Sequence, residues 1–145
     1  MQVRNEVKEL RLLFEVLQIL DGASDLSDNL DTVLEVMAKH TGMMRGVITL
    51  LDERHGEIAI EAAYGVSPEA QSRGRYKIGE GITGKVVENG KPLVIPNVLV
   101  EPLFLNRTGT RSRKEAVSFI CVPIKMDGRV IGALSADRLF AESEA

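Results

Sequence analysis

Several residue types that build catalytic and metal sites are scarce in this 145-residue chain. It contains no Trp, one Cys, two His, two Tyr and four Phe. The single cysteine, Cys121, excludes an internal disulfide and any metal site that needs several thiolates. The two histidines, His40 and His55, are too far apart in sequence to form a local metal-binding motif. Composition therefore argues against a conventional enzyme, and we predict no catalytic residue, no metal site and no cofactor.

Long apolar runs and an excess of positive charge are missing as well. The formal net charge is −3, which gives no electrostatic reason to expect nucleic-acid binding by this segment. No apolar run approaches the roughly 18 residues that span a membrane, and charges near the N-terminus do not fit a signal peptide. The rarity of cysteine favours a cytoplasmic setting. With 44% hydrophobic and 27% charged residues, the chain fits one domain that buries its own core.

The first 20 residues contain neither Gly nor Pro and predict a helix that ends at Asp21-Gly22. We therefore separate an amphipathic helix at residues 1–22 from a domain at residues 23–145. Apolar residues recur with alternating steps of four and three, which is typical of a heptad seam. The seam consists of Val3, Val7, Leu10, Phe14 and Leu17. The stripe either packs on its own domain or pairs with a second copy as a dimer interface, and the pattern favours neither.

The remaining pattern predicts a mixed α+β domain. Helices are expected over residues 28–40 and 82–89, with a further helix start at Ser67-Pro68. Strands are expected over residues 46–51, 57–64, 91–96, 117–124 and 130–136. In the second strand, Ile58, Ile60 and Ala62 are predicted to share one buried face. The order of elements predicts a largely antiparallel sheet with its helices packed on one face.

One glycine-rich segment resembles a phosphate-binding loop. Residues 79–86 satisfy G-x-x-x-x-G-K, but Val86 stands where such a loop needs Ser or Thr for magnesium. The preferred interpretation is structural, with glycines permitting a tight turn before a helix.

Two further features have both a structural and a functional interpretation. The basic cluster around Arg107, Arg111 and Arg113 is either a solvated loop or a clamp for a carboxylate or phosphate. Strand alternation places Cys121 on the face of Phe119, as a small buried hydrophobic residue. Asp137 either ends the last strand or, if it faced the same cavity as Cys121, would offer a metal ligand, although no His is near.

Taken in order, the motifs at residues 79–86, 92–97, 121–124 and 130–134 resemble a GAF domain, a small-molecule sensor module. The likeness runs from Ser27 to Phe140. Residues 101–107, 118–125 and 134–138 are similar to the sensor domains of NifA-type, sigma-54-dependent activators of nitrogen fixation. The resemblance implies a six-stranded antiparallel sheet with flanking helices, here without the final helix. It also implies a non-catalytic regulatory domain that dimerises through its helices and controls an ATPase domain absent from this fragment.

The resemblance further implies a ligand pocket roofed by the loops between Gly65 and Lys114. The candidate ligand-binding residues are Tyr76, Thr83, Arg107, Arg111, Arg113, Phe119, Cys121 and Asp137. The arginines suit a dicarboxylate such as 2-oxoglutarate, and a nitrogen-status signalling protein is a second expected partner.

Other readings of the resemblance stay open. One is a dimerisation or partner-docking module without a ligand, and the other is an iron-based gas sensor. For the iron site Asp137 matches one ligand, but Phe119 stands at the position of the ligating Cys. Cyclic nucleotides are not selected by any motif. The reductases that share this fold need several cysteines, and this chain has one.

Overall fold

Six antiparallel strands form a single sheet in the computed structural model, which describes residues 10–13, 15, 26–96 and 117–139. The helices are α1 (Leu26–Thr41), α2 (Pro68–Ser72) and α3 (Gly81–Asn89). The strands are β1 (Arg45–Asp52), β2 (Glu57–Tyr64), β3 (Arg75–Lys77), β4 (Leu93–Ile95), β5 (Val117–Met126) and β6 (Arg129–Leu139). The predicted α+β class with a six-stranded antiparallel sheet is confirmed.

The strands lie in the order β3-β2-β1-β6-β5-β4, so β1 and β6 are central. Two tight hairpins, β1–β2 and β5–β6, meet where β1 pairs with β6. The second hairpin turns at Asp127-Gly128, where both residues have positive φ, 53° and 78°. Because such backbone matches the twist of paired strands, Asp-Gly is a favoured hairpin turn. α2 begins as predicted, since the Ser67 hydroxyl accepts a hydrogen bond from Ala70 N.

Strand β3 was not predicted from the sequence. Its three residues pair with the first half of β2, from Glu57 to Ala59. A strand of three residues is too short to show the alternation that identifies strands. It forms because the edge of β2 offers unpaired backbone groups.

A β-bulge corrects the prediction for β2. The register shifts between Ile48 and Thr49, which pair with Ala62 and Ile60. One residue of β2 is passed over between these pairs, so the alternation of side chains reverses there. Ile60 therefore lies on the opposite face from Ala62, and the expectation of a single buried face was wrong.

Helices cover both faces of the sheet, whereas the sequence predicted one. α1 packs on the first face through a cluster that includes Leu34, Ile48 and Ala62. α3 packs on the second face, where Val86 contacts a cluster that includes Ile58 and Cys121. The domain is therefore a three-layer arrangement of helix, sheet and helix.

Part of the predicted N-terminal helix lies within the described residues, since 10–13 and 15 are helical. Glu15 Oε2 lies 3.3 Å from His40 Nε2 at the end of α1. Leu10 and Leu13 are 65% and 58% exposed, so they do not pack on the described part of their own domain. Of the predicted seam, Val3, Val7, Phe14 and Leu17 lie outside the described residues. None of the described helices has the length and apolar character needed to cross a membrane.

Candidate functional site

The two faces of the sheet differ sharply in polarity. The buried polar and charged residues of the described part are Arg45, Thr49, Thr83, Ser135 and Asp137. All of them except Thr83 lie on the central strands β1 and β6, where strand alternation directs their side chains toward α3. Thr83 lies on α3 itself. The buried cluster on the α1 face consists of apolar residues. The α3 face is therefore where the interior can recognise a polar group.

Strand register explains why the predicted site residues share this face. Asp137 lies opposite Phe119 on one side and Arg45 on the other. Cys121 lies opposite Ser135, two residues along the same strands. The predicted alternation of β5 is thus confirmed.

Arg45 and Asp137 form a buried ion pair at the end of the central strands. Arg45 Nε donates to both Asp137 Oδ1 and Oδ2, each at 3.2 Å. The side chains are 9% and 0% exposed, and both residues take part in further interactions. The backbone adds a hydrogen bond at the same place, from Met44 N to Asp137 O at 2.8 Å. The pair joins the start of β1 to the end of β6.

Arg45 is the site residue that sequence reasoning missed. Our predicted strand begins one residue later, at Gly46, which left Arg45 in the preceding loop. The available signal was a lone charged residue directly before an apolar run. Such a residue is buried only when it is paired.

Cys121 and Thr83 meet beneath α3, deeper in the same layer. Burial raises the pKa of the Cys121 thiol to about 12, and the hydrogen bond with the Thr83 side chain lowers it only in part. Because the thiolate is the reactive and metal-binding form, this thiol is inert near neutral pH. Within the described residues no group of three or more His, Cys, Asp or Glu side chains is placed to hold a metal ion.

The other predicted ligand-binding residues are placed as follows. Phe119 is buried in the core cluster beneath α3, and Tyr76 on β3 packs against that cluster. The three arginines, Arg107, Arg111 and Arg113, lie outside the described residues. The structure thus brings Thr83, Phe119, Cys121 and Asp137 to one face, with Tyr76 at its margin.

A cavity of about 450 Å³ lies beside the end of α1, within the size range of small-molecule pockets. Its walls consist of Met37, Thr41, Met43, Val94, Pro96, Ser118, Phe119, Ile120, Ala136, Asp137 and Arg138. Two of its hydroxyls are used internally: Thr41 Oγ1 donates to Met37 O at 2.7 Å, and Ser118 Oγ donates to Pro96 O at 2.8 Å. Asp137 borders this cavity, whereas its neighbours in the lining, Ala136 and Arg138, alternate to the α1 face of the sheet.

The glycine-rich segment is a structural turn. Gly79 N donates to Gly84 O and Gly84 N donates to Glu80 O, each at 2.9 Å. These amides are therefore engaged within the loop and do not form a cradle for phosphate. A Cβ on Gly84 would lie 2.5 Å from the carbonyl oxygen of Lys77, which explains the glycine at this position.

Comparison with known proteins identifies a family and its regulatory members. The GAF domain family model matches residues 25–144. The nitrogen fixation protein VnfA of Azotobacter vinelandii is 44% identical over 138 residues, covering 93% of this chain and 26% of that protein. The Nif-specific regulatory protein of Azospirillum lipoferum is 41% identical over 136 residues, covering 92% and 22%. The chain therefore spans about a quarter of the length of these relatives.

Solved structures agree on the fold. The GAF domain of A. aeolicus nlh2, solved in an inactive state, is 32% identical with a TM-score of 0.82, covering 96% of this chain and 84% of that chain. A free methionine-R-sulfoxide reductase from Neisseria meningitidis, solved with its substrate, is 26% identical with a TM-score of 0.73, covering 92% and 77%. The fold is thus shared by a GAF domain solved in an inactive state and by an enzyme.

Proposed function

This chain belongs to the GAF family, and we propose that it is the non-catalytic sensor domain of a nitrogen-fixation activator of the sigma-54-dependent class. The observation that carries the proposal is the identity of more than 40% to nitrogen-fixation regulators along nearly the whole chain. In this role residues 23–145 bind a small molecule, and the helix at residues 1–22 mediates a homodimer. Occupancy of the site then biases two arrangements of the dimer and so controls an attached ATPase domain.

The polarity of the α3 face supports a sensing role. A domain that needed only a stable core would gain little from burying Arg45 and Asp137, because buried ion pairs are seldom better than apolar packing. The inert thiol of Cys121 supports a role without catalysis, since a reductase of this fold depends on reactive cysteines.

The ligand we propose first is 2-oxoglutarate. A dicarboxylate suits Arg107, Arg111 and Arg113, because guanidinium groups bind carboxylates in a bidentate manner. A nitrogen-status signalling protein is the proposed second partner, and the cytoplasm is the proposed location.

Thermal denaturation of the chain with millimolar 2-oxoglutarate tests the ligand. A ligand at one hundred times its Kd stabilises a protein by about 2.7 kcal/mol, a clearly measurable rise in Tm. Arg111→Ala should reduce the rise. An unchanged Tm would remove 2-oxoglutarate as the ligand.

The regulatory role is tested on the full-length activator. We expect its ATPase rate to change with ligand, and to become ligand-independent when residues 1–145 are deleted. An ATPase rate that is the same with and without residues 1–145 would contradict regulation by this domain.

The proposed dimer is tested by light scattering. Leu10→Glu should weaken the dimer, because Leu10 is exposed and belongs to the seam. Leu13→Glu is the matched control, since Leu13 is similarly exposed but lies outside the seam. Equal effects of both variants would count against the heptad seam.

A second candidate is a dimerisation or partner-docking module without a ligand. It is favoured by Phe119, which fills the core beneath α3 with an exposure of 6%. In that case no small molecule changes the Tm, while deletion of the domain still alters the ATPase rate.

A further inference from the structure

The helix α1 covers only part of its face of the sheet. A row of paired residues crosses this face from β1 to the edge strand β4: Gly46, Ala136, Ile120 and Val94. A Cβ on Gly46 would lie 3.3 Å from the side chain of Leu34 on α1, so this end of the row is beneath the helix. At the other end Ile120 and Val94 are 42% and 67% exposed. The apolar floor therefore continues beyond the helix that covers its first half.

The cavity of about 450 Å³ beside the end of α1 lies on this open floor, and we call it the α1-face groove. Val94 and Ile120 line its floor, and Met37 and Thr41 of α1 line one wall. The Thr41 hydroxyl donates to Met37 O and accepts from Met43 N, so its hydrogen bonds are made within the chain. The groove therefore offers mainly apolar contact, and exposed apolar surface of this kind marks an interaction site.

The described part of the N-terminal helix presents a second apolar surface next to the groove. Glu15 Oε2 lies 3.3 Å from Nε2 of His40, the residue before Thr41 of the groove wall. Leu10 and Leu13 on the same helix are 65% and 58% exposed, so the helix does not seat them in the groove of its own chain. One copy therefore carries, at the same end of α1, an open apolar groove and exposed apolar side chains.

We propose that the α1-face groove receives the N-terminal helix of a second copy of this chain, with Leu10 of the seam seated against Val94 and Ile120. A groove and a helix that one copy leaves open side by side form a self-complementary patch, as a two-fold dimer requires. The helix of each copy then lies in the groove of the other, and both sets of apolar side chains are buried together. The proposal rests on the homodimer through residues 1–22 proposed above and names the surface that the seam contacts.

Cross-linking between two different variants of the whole chain tests this arrangement. Leu10→Cys is co-expressed with Val94→Cys that carries an affinity tag, and a short bis-maleimide then links cysteines that lie close together. The native Cys121 stays unlabelled, because burial raises the pKa of its thiol to about 12. We expect a linked product of one tagged and one untagged chain, in which peptide mass spectrometry finds the bridge between positions 10 and 94.

Met126→Cys is the matched control for Val94→Cys. Met126 is 59% exposed on β5 but does not line the groove. Leu10→Cys should therefore not be linked to Met126→Cys on another chain.

Sedimentation equilibrium measures what the groove contributes to association. Ile120→Glu places a charge on the apolar floor and should raise the Kd of the dimer by about tenfold or more. Met126→Glu places the same charge outside the groove and should leave the Kd unchanged. Circular dichroism checks that both variants are folded, and the cross-link between positions 10 and 94 tests the arrangement without a charge in the groove.

Each contrary result has a distinct meaning. A dimer that lacks the link between positions 10 and 94, and whose Kd is unchanged in Ile120→Glu, would overturn groove docking and leave the proposed dimer intact. A link that forms only when Leu10→Cys and Val94→Cys are on one chain would show that the groove holds the helix of its own chain, which also overturns the proposal. If the unaltered chain is a monomer, groove docking and the proposed dimer both fail, and the ligand and ATPase measurements decide the sensing function separately.

Discussion

The buried ion pair makes a strong prediction about stability. Asp137 is buried, with 2% of its surface exposed. Arg45→Met removes the cation that pairs with its carboxylate. Removing one partner of a buried pair costs about 3–5 kcal/mol, because the remaining charge has lost both its hydration and this counter-charge. A domain of this size has about 5–15 kcal/mol of stability in total. The single variant should therefore lose at least about a fifth of it.

Urea denaturation followed by circular dichroism measures the loss. With a dependence of about 2 kcal/mol per molar urea, a loss of 4 kcal/mol lowers the midpoint by about 2 M. The double variant, Arg45→Met with Asp137→Leu, should recover most of the loss, because no charge remains buried. The recovery is the coupling energy of a double-mutant cycle.

The exposed pair between Arg129 Nη2 and Glu53 Oε1, 2.8 Å apart, provides the comparison. Arg129→Met should leave the urea midpoint unchanged, since exposed ion pairs contribute little. A cost of less than about 1 kcal/mol for Arg45→Met, or a double variant as unstable as the sum of its single changes, would contradict a mutually dependent buried pair.

Three further predictions concern other parts of the domain. Gly84→Ala should cost about 1–3 kcal/mol in urea denaturation, because its Cβ would lie 2.5 Å from a backbone oxygen of Lys77. Cys121 should not react with a thiol reagent at pH 8 in the folded chain, since burial raises its pKa to about 12. The Asp52 carboxylate accepts a 2.6 Å hydrogen bond from His55 Nδ1 and so raises the pKa of His55, which Asp52→Asn should lower in an NMR titration. Because the pKa of His55 is higher in the folded chain, the contact stabilises the fold at pH values below the ordinary His pKa. That stabilisation is lost as the pH rises through the raised pKa.

Each of these predictions has a control. Gly128→Asn places a side chain where no atom lies within 4 Å, and Asn tolerates its φ of +78°, so it should be nearly neutral. Cys121 should react once urea unfolds the chain, and reaction at the same rate before unfolding would contradict its burial. For His55, the unaltered chain titrated under the same conditions is the reference. An unchanged pKa of His55 in Asp52→Asn would mean that the contact does not form in solution.

Sequence periodicity predicted the helices and strands that are long enough to show it. The predicted helix at residues 28–40 appears as α1 with one or two residues added at each end, and the strongly apolar strands appear as β5 and β6, each longer than predicted. Strand β3 has too few residues to show a period and depends on a neighbour that sequence reading does not place. The bulge in β2 likewise arises from pairing with β1, so the reversal at Ala62 has no local signal.

The sequence predicted part of the candidate site. Alternation along β5 placed Phe119 and Cys121 on one face, and the register added Asp137. The partner of Asp137 could not be found in this way, because Arg45 is 92 residues away in sequence and its burial depends on β1 lying at the centre of the sheet, next to β6. Long-range charge pairing is a property of the assembled sheet.

The sheet separates the two roles that we propose for the domain. On the α1 face, the buried cluster is apolar and lies next to the helical segment that leaves Leu10 exposed, so this layer suits association. On the α3 face, all the buried polar groups of the described residues are collected, so this layer suits recognition. β1 and β6 belong to both layers, because alternate residues of each strand point to opposite faces. Arg45 and Asp137 are therefore carried by the same strands against which α1 packs on the other face. If the domain binds a ligand on the α3 face and dimerises through residues 1–22, as proposed, these two strands connect the two events without direct contact between ligand and dimer interface.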